Sequence, residues 1–371
     1  MMNVMEYIEH HADEAQQLLI DLAQIPAPSN QEERRAAFCL DWLRSKGAEC
    51  AYIDEALNVI YPIGDTGENE LVVFMAHSDV VFPDTTPLPL NMEGGRIYCP
   101  GVGDDTANAV ALLTVAGYIA EQKLAPKSGG ILLVINSGEE GLGNLKGSRK
   151  IMEVFGSRVK EFVTFDGNAN AVVTKAVGSR RFRVKVTTEG GHSYARFGAP
   201  NAIAQLSAII ARLYEIQVPD IGRTTFNVGT ITGGTSVNTI AQTAEMLFEF
   251  RSDEREGLAV MQAHFDSIVA QFRSNGVNIS IEVVGNRPCG IAVDNSSLAN
   301  RAAEAVRAHY GFVPRFTSGS TDCNIPLSMG LPAICPGCIM GAGAHTREEY
   351  VEIDSLLPGL NVAAELILHH F

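Results

Sequence analysis

Apolar residues follow two rhythms along this chain, and the change of rhythm divides it. Up to about residue 177 the apolar runs are unbroken: Leu71-Val72-Val73-Phe74-Met75-Ala76, Ile131-Leu132-Leu133-Val134-Ile135 and Phe162-Val163-Thr164-Phe165. Short unbroken runs between helical patterns predict strands covered on both faces, as in a parallel sheet. The pattern predicts helices over 5–24, from just after Asp105, and over 144–155, with strands near 50–53, 57–62, 71–76, 131–135 and 161–165. Beyond 178 the strands alternate instead. Phe182, Val184 and Val186 interleave with Arg181, Arg183 and Lys185, and Ile279, Ile281 and Val283 with Asn278, Ser280 and Glu282. Strict alternation buries one face only, as antiparallel sheets do.

The order there is strand 180–189, helix 200–215, strands 224–231 and 241–252, helix 257–273 and strand 278–285. That is the split βαββαβ arrangement of a ferredoxin-like domain. Past Pro288 the two-sided pattern returns, with helices over 296–310, 322–329 and 355–370 and strands near 314–317 and 332–335. The fold class expected is therefore α/β, with a mixed, mainly parallel sheet. Its catalytic domain is discontinuous, 1–177 with 288–371, and is interrupted by an inserted α+β domain over 178–287.

The three unbroken runs end in His77 and Asp79, in Glu139 and Glu140, and in Asp166. Strands of an open parallel sheet share one carboxyl edge, which is where ligands bind. Residues distant in sequence thus converge on one crevice, and the side chains arriving there are metal-ligand chemistry. His77 and Asp79 point alike from an extended strand end, so His77 is free to bind a metal while Asp79 holds its other ring nitrogen. Neighbouring Glu139 and Glu140 repel each other unless a cation or proton compensates, leaving one to bind metal and the other to serve as base. Asp104 and Asp105 stand at a helix start behind Gly101-Val102-Gly103, where a plain N-terminal cap is the alternative. His345 lies in the glycine-rich segment 341–346.

Composition narrows the partners. A formal charge of −15 repels phosphate backbones and argues against nucleic acid. No apolar run reaches the roughly 18 residues of a membrane span, and the polar start of the chain does not look like a secretory signal. Seven scattered cysteines fit a reducing cytoplasm, and Cys335 and Cys338 read as small buried hydrophobes on a turn rather than as a zinc or redox pair.

Taken with their order, these motifs resemble the co-catalytic zinc peptidases and amidohydrolases, the family of peptidase T, carboxypeptidase G, aminoacylase and succinyl-diaminopimelate desuccinylase. The resemblance spans essentially the whole chain. It implies that His77, Asp104 and Asp166 hold one zinc, that Asp104 bridges to a second, and that Glu140 and His345 complete the second set. Glu139 would be the general base, Asp79 would orient His77, and the Asp104-Asp105 peptide would be cis. In Gly190-Gly191-His192-Ser193 the histidine would stabilise the oxyanion from a neighbouring subunit of a homodimer formed through the inserted domain. Asn238 would touch substrate.

Arg251 and Arg287 are candidates for gripping a substrate carboxylate, because guanidinium binds carboxylate as a fork; solvated strand-end charges are the alternative. Ser320-Thr321-Asp322 looks like a structural turn. Thr106 departs from the family's frequent lysine, so a positive charge beside the cluster is missing. Three ligand carboxylates and a hydroxide would balance two Zn²⁺, and Co²⁺ or Mn²⁺ would also suit these ligands.

The activity expected is hydrolysis of amide bonds in short peptides, with removal of an acyl group from an N-acyl amino acid as the alternative. A non-catalytic subunit would be marked by lost ligands or a lost Glu139, and all are present. A two-metal phosphoesterase fits the ions but not the inserted domain or the Glu139-Glu140 pair.

Overall fold

Period-two alternation sorts the central strands between two cores. In the computed structural model, which describes residues 3–371, Val72, Phe74, Ala76, Leu133 and Ile135 join one apolar cluster. Leu71, Val73, Met75, Leu132 and Val134, from the same two strands, join another. Both strands, Leu71–His77 and Gly130–Asn136, are buried at every position. At about 25 cal/mol per Å² of apolar area, covering both faces is the main stabilising term for such a sheet.

The chain divides into two compact units, Met1–Ala176 with Ile291–Phe371, and Val177–Gly290. In the first, eight strands run in the spatial order Tyr52–Ile53, Val59–Gly64, Gly130–Asn136, Leu71–His77, Val159–Thr164, Ala333–Pro336, Ala171–Ala176 and Arg315–Gly319. The four central strands are mutually parallel, so the sheet is mixed and mainly parallel. The register sets His77 opposite Asn136 and Met75 opposite Thr164, which aligns the carboxyl ends of the three predicted strands. On one face pack the helices Ala12–Gln24, Ala107–Gln122, Ser296–Tyr310 and Leu356–Leu368; on the other, residues of Lys146–Phe155 and Asn324–Ser328 meet the second cluster.

Several elements differ from the expectations. The helix over 5–24 is two helices, Val4–His10 and Ala12–Gln24, because His11 leaves helical geometry and stacks on Tyr7 at 3.9 Å. A helix over Glu33–Ser45 and a strand over Ala171–Ala176 were not anticipated. Neither was a small antiparallel sheet of Asn91–Glu93, Arg96–Tyr98, Tyr350–Glu352 and Gly341–Ala342. That sheet brings the glycine-rich segment beside the turn that carries Asp104.

The second unit is an antiparallel sheet ordered Thr224–Gly233, Thr243–Ser252, Gly178–Thr187, Asn278–Arg287. Helices Ala202–Leu213 and Arg255–Ser274 cover one face, where Phe182, Phe248 and Phe250 meet Leu206, Met261 and Phe265. This is a ferredoxin-like arrangement, four strands with two helices on one side.

Candidate metal centre

His77 closes the strand Leu71–His77 and is 1 % exposed. Its Nδ1 lies 3.0 Å from the main-chain oxygen of Asp79 and 3.5 Å from that residue's carboxylate. The ring is therefore oriented chiefly by the Asp79 carbonyl, where the sequence pointed to the carboxylate. The carboxylate has other work. It accepts the main-chain N–H of Glu139 and of Glu140, both at 2.9 Å, and the Ser29 hydroxyl at 2.6 Å. Asp79 thus fixes the turn that presents the two glutamates, which are themselves buried.

The outer nitrogen of His77, Nε2, is 3.2 Å from Asp104 Oδ1. The other oxygen of Asp104, Oδ2, is 3.1 Å from His345 Nε2, and that same nitrogen is 3.2 Å from Glu140 Oε1. His345 sits at φ 65°, a left-handed conformation that few non-glycine residues adopt. One carboxylate therefore offers one oxygen to each histidine. Two donors bound tetrahedrally to one zinc at roughly 2.0–2.1 Å stand about 3.3 Å apart. The observed separations match that edge length within about 0.2 Å, so the residues present fit a pair of divalent ions.

Donor atoms of His77, Asp104 and Glu140 lie within 4.8 Å of one another, as do those of His77, Asp105 and Asp166. Asp105 thus stands in the grouping expected of Asp104. Its oxygens, however, are already engaged: Oδ2 accepts the His77 main-chain N–H at 3.0 Å and Oδ1 the Asn108 amide at 2.7 Å. That makes Asp105 a brace rather than a bridge. The Asp104-Asp105 peptide is cis.

Electrostatics follow from crowding acids in a buried place. Burial raises Asp166 well above the usual carboxylate range, with the Asp104 charge adding to it, and burial likewise raises Asp105. Glu140 is lifted to about 7 by burial against the opposing pull of His345. Asp104 goes the other way: burial works against it, but hydrogen bonds from His345 and His77 hold it low. Hydrogen bonds to Asp104 and Glu140 push His345 up to about 10. Acids held protonated beside cationic histidines are what a site looks like when divalent charge would relieve it.

Three supporting residues escaped the sequence. Glu349 accepts the main-chain N–H groups of Gly101, Gly103 and Asp104 at 2.7–2.8 Å, and so shapes the loop that ends in Asp104. Ser29 ties Asp79 to the Glu140 carbonyl. The positive charge that looked absent beside Thr106 is present after all, since Arg35 donates to the Thr106 hydroxyl at 3.1 Å. Asp322, the acid of the structural turn, is buried and accepts the Asn136 amide at 2.7 Å. Among the described residues no disulfide forms, and Cys335 and Cys338 are both buried. A cavity of about 80 Å³ opens beside Asp104 and Asp166, walled largely by Gly167, Gly341, Ala342 and Tyr350.

Within the second unit, His192 and Asn238 stand on neighbouring exposed loops. His192 pairs with Thr239 in a short bridge, and Ser193 N–H donates to the Asn238 carbonyl at 3.0 Å. Arg251 is bidentate with Glu249, at 2.8 and 3.1 Å, so its fork is already engaged. Arg287 is buried at 4 % exposure, which removes the reading of a solvated strand-end charge.

Residues 73–369 match the model of peptidase family M20/M25/M40. The chain belongs to that family. It is a metal-dependent hydrolase of peptide or related amide bonds. A succinyl-diaminopimelate desuccinylase of Nitrosococcus oceani is 26% identical over 308 residues, 77% of this chain and 80% of that protein. Among solved structures, a Staphylococcus aureus tripeptidase superposes with a TM-score of 0.76 at 23% identity, over 96% of this chain and 97% of its own. A Bacillus subtilis protein described as a dinuclear metal-binding peptidase does so with a TM-score of 0.65 at 17% identity, over 98% of this chain and 100% of its own. No helix is long and apolar enough to cross a membrane, among the described residues.

Proposed function

We propose that this M20 hydrolase cleaves short peptides, using two zinc ions held by His77, Asp104, Asp166, Glu140 and His345. Asp104, with one oxygen toward each histidine, is the observation that carries the reading. When bound, such ions polarise an amide carbonyl and lower the pKa of a water. Glu139 accepts the proton of the attacking water on its carboxylate and returns it to the leaving amide nitrogen. Asp79 keeps Glu139 in place through the main-chain N–H. The cavity beside Asp104 and Asp166, only about 80 Å³ in volume, suits a small group next to the scissile bond. His192 and Asn238 contact substrate, and Arg251 reaches a substrate carboxylate only by exchanging its Glu249 partner.

The protein acts as a homodimer through its second unit. The outer strand Thr224–Gly233 pairs on one side only and contains no charged residue across its length. Edges are normally blunted by charge, so an uncharged edge of this length suits a second copy. Seven cysteines outside any disulfide fit a reducing compartment such as the cytoplasm.

A second reading, deacylation of N-acyl amino acids, is favoured by the similarity to the Nitrosococcus oceani desuccinylase. Di- and tripeptides assayed against N-acyl amino acids, before and after chelation and with Zn²⁺, Co²⁺ or Mn²⁺ restored, separate the two. Metal-dependent release of amino acids from peptides is expected. Turnover of acyl amino acids alone would reverse the order, and turnover that survives chelation would end both.

A further inference from the structure

Arg35 lies in the first turn of the helix Glu33–Ser45 and has no exposed surface. Among the described residues it is the only lysine or arginine that the first unit buries completely. Its four hydrogen bonds all go to uncharged oxygens. Nη1 donates to the Ser78 carbonyl at 2.9 Å and to the Thr106 hydroxyl at 3.1 Å, Nε to the Ile25 carbonyl at 2.7 Å, and Nη2 to the Ala23 carbonyl at 3.3 Å. Burial lowers its pKa to about 10, so it remains charged at neutral pH.

Burying a guanidinium without a carboxylate partner is costly, and an apolar side chain of similar volume fills such a space at no electrostatic cost. The arrangement makes sense through what it joins. Ser78 stands between His77 and Asp79, and Thr106 follows Asp104 and Asp105. The Thr106 hydroxyl in turn donates to the Gly101 carbonyl at 2.6 Å, closing the loop that ends in Asp104. A single planar fork thus connects the end of the strand Leu71–His77 to the turn that opens the helix Ala107–Gln122.

We propose that Arg35 is a positioning residue of the metal centre, setting the spacing of His77 and Asp104 before either meets an ion. The proposal rests on reading those two residues as ligands. It assigns the effect to the fork rather than to the charge. Lysine keeps the charge, but its compact ammonium cannot serve four acceptors spread over three chain segments.

The test uses Arg35→Lys and Arg35→Met in the full chain, stripped of metal. Calorimetry gives stoichiometry and dissociation constants for Zn²⁺ and Co²⁺, thermal melts report the stability of the metal-free proteins, and the visible spectrum of the Co²⁺ form reports ligand geometry. Both variants should bind ions about 10- to 100-fold more weakly, the usual effect of losing a partner behind a metal ligand, with an altered Co²⁺ spectrum. Wild-type affinity and spectrum in Arg35→Lys would overturn the proposal, because charge alone would then suffice. A lower melting temperature with unchanged affinity would also overturn it, leaving Arg35 a core residue. If Arg35→Met does not fold, Arg35→Lys decides alone. Ion binding by wild type with unaltered variants refutes only this proposal; no ion binding by wild type refutes the metal reading and this proposal with it.

Discussion

The two units treat their polar residues in opposite ways. In the first, His77, Asp79, Glu139 and Glu140 are buried and each is joined by main-chain or side-chain hydrogen bonds to distant parts of the chain. In the second, the loops of His192 and Asn238 are held against each other by a short bridge at the surface, and Tyr194, Phe197 and Val237 beside them are almost fully exposed. Buried hydrogen-bonded groups keep their geometry because leaving it would strand polar atoms away from water. Exposed loop residues carry no such penalty and take their final positions from what they bind. On the function proposed above, the chemistry would be prepared in advance within one unit, while the exposed loops of the other would settle only on binding.

Three changes would break or sharpen this contrast. The largest effect is expected at Glu139. Glu139→Ala should keep its metal content and lose about 100- to 10,000-fold in kcat, the range for a general acid–base; unchanged turnover refutes the assignment. Next comes His192. His192→Ala should lose about 100- to 1,000-fold in kcat, as for a lost oxyanion donor, with metal affinity untouched. Ile231→Lys on the uncharged edge strand should yield monomers by sedimentation and the same loss of turnover. A fully active monomer would separate His192 from any role across a dimer.

The smallest effect concerns the prepared unit alone. Burial lifts Glu140, Asp322 and Glu349 to about 7. Between roughly pH 4 and 7 the folded metal-free protein therefore holds protons that the unfolded chain has released. Its stability must fall as pH rises through that window. His345, raised to about 10, acts in the same direction: its contribution is complete below about pH 6.5 and fades toward pH 10. Metal-free protein should accordingly melt several degrees higher at pH 5.5 than at pH 8. Saturating metal should flatten or invert that slope, because ions replace the protons on Glu140 and His345. A flat profile for the metal-free protein would mean that these acids are not crowded as described.

The strand ends were legible because two-sided burial writes itself as unbroken apolar runs, and because His77, Glu139, Glu140 and Asp166 follow those runs within a few residues. The change to alternation at Phe182 marked the second unit for the same reason. Arg35 was not legible. Its helix reads Glu33-Arg34-Arg35-Ala36-Ala37-Phe38-Cys39, a charged segment in which a buried arginine looks like its exposed neighbour Arg34. Glu349 and Ser29 serve Asp104 and Asp79 across large sequence separations, and no periodicity records that. The carboxylate of Asp79 was predicted to steady His77, and its grip on the Glu139-Glu140 turn became visible only in three dimensions. Arg251 was picked for its chemistry, but sequence could not show that Glu249 already occupies it.

One feature of the central sheet bears on how the chain is made. The strand Ala333–Pro336 lies between Val159–Thr164 and Ala171–Ala176 and is flanked by them in space, yet it is synthesised long after both. Until it emerges from the ribosome, two finished neighbours wait with a vacant slot, and His345 arrives later still. Pairings between remote segments are slow and leave sticky edges exposed in the meantime. With His345 as a ligand, as proposed above, ion loading would wait for the last strands, and fragments that stop short of them should neither take up metal nor stay in solution for long.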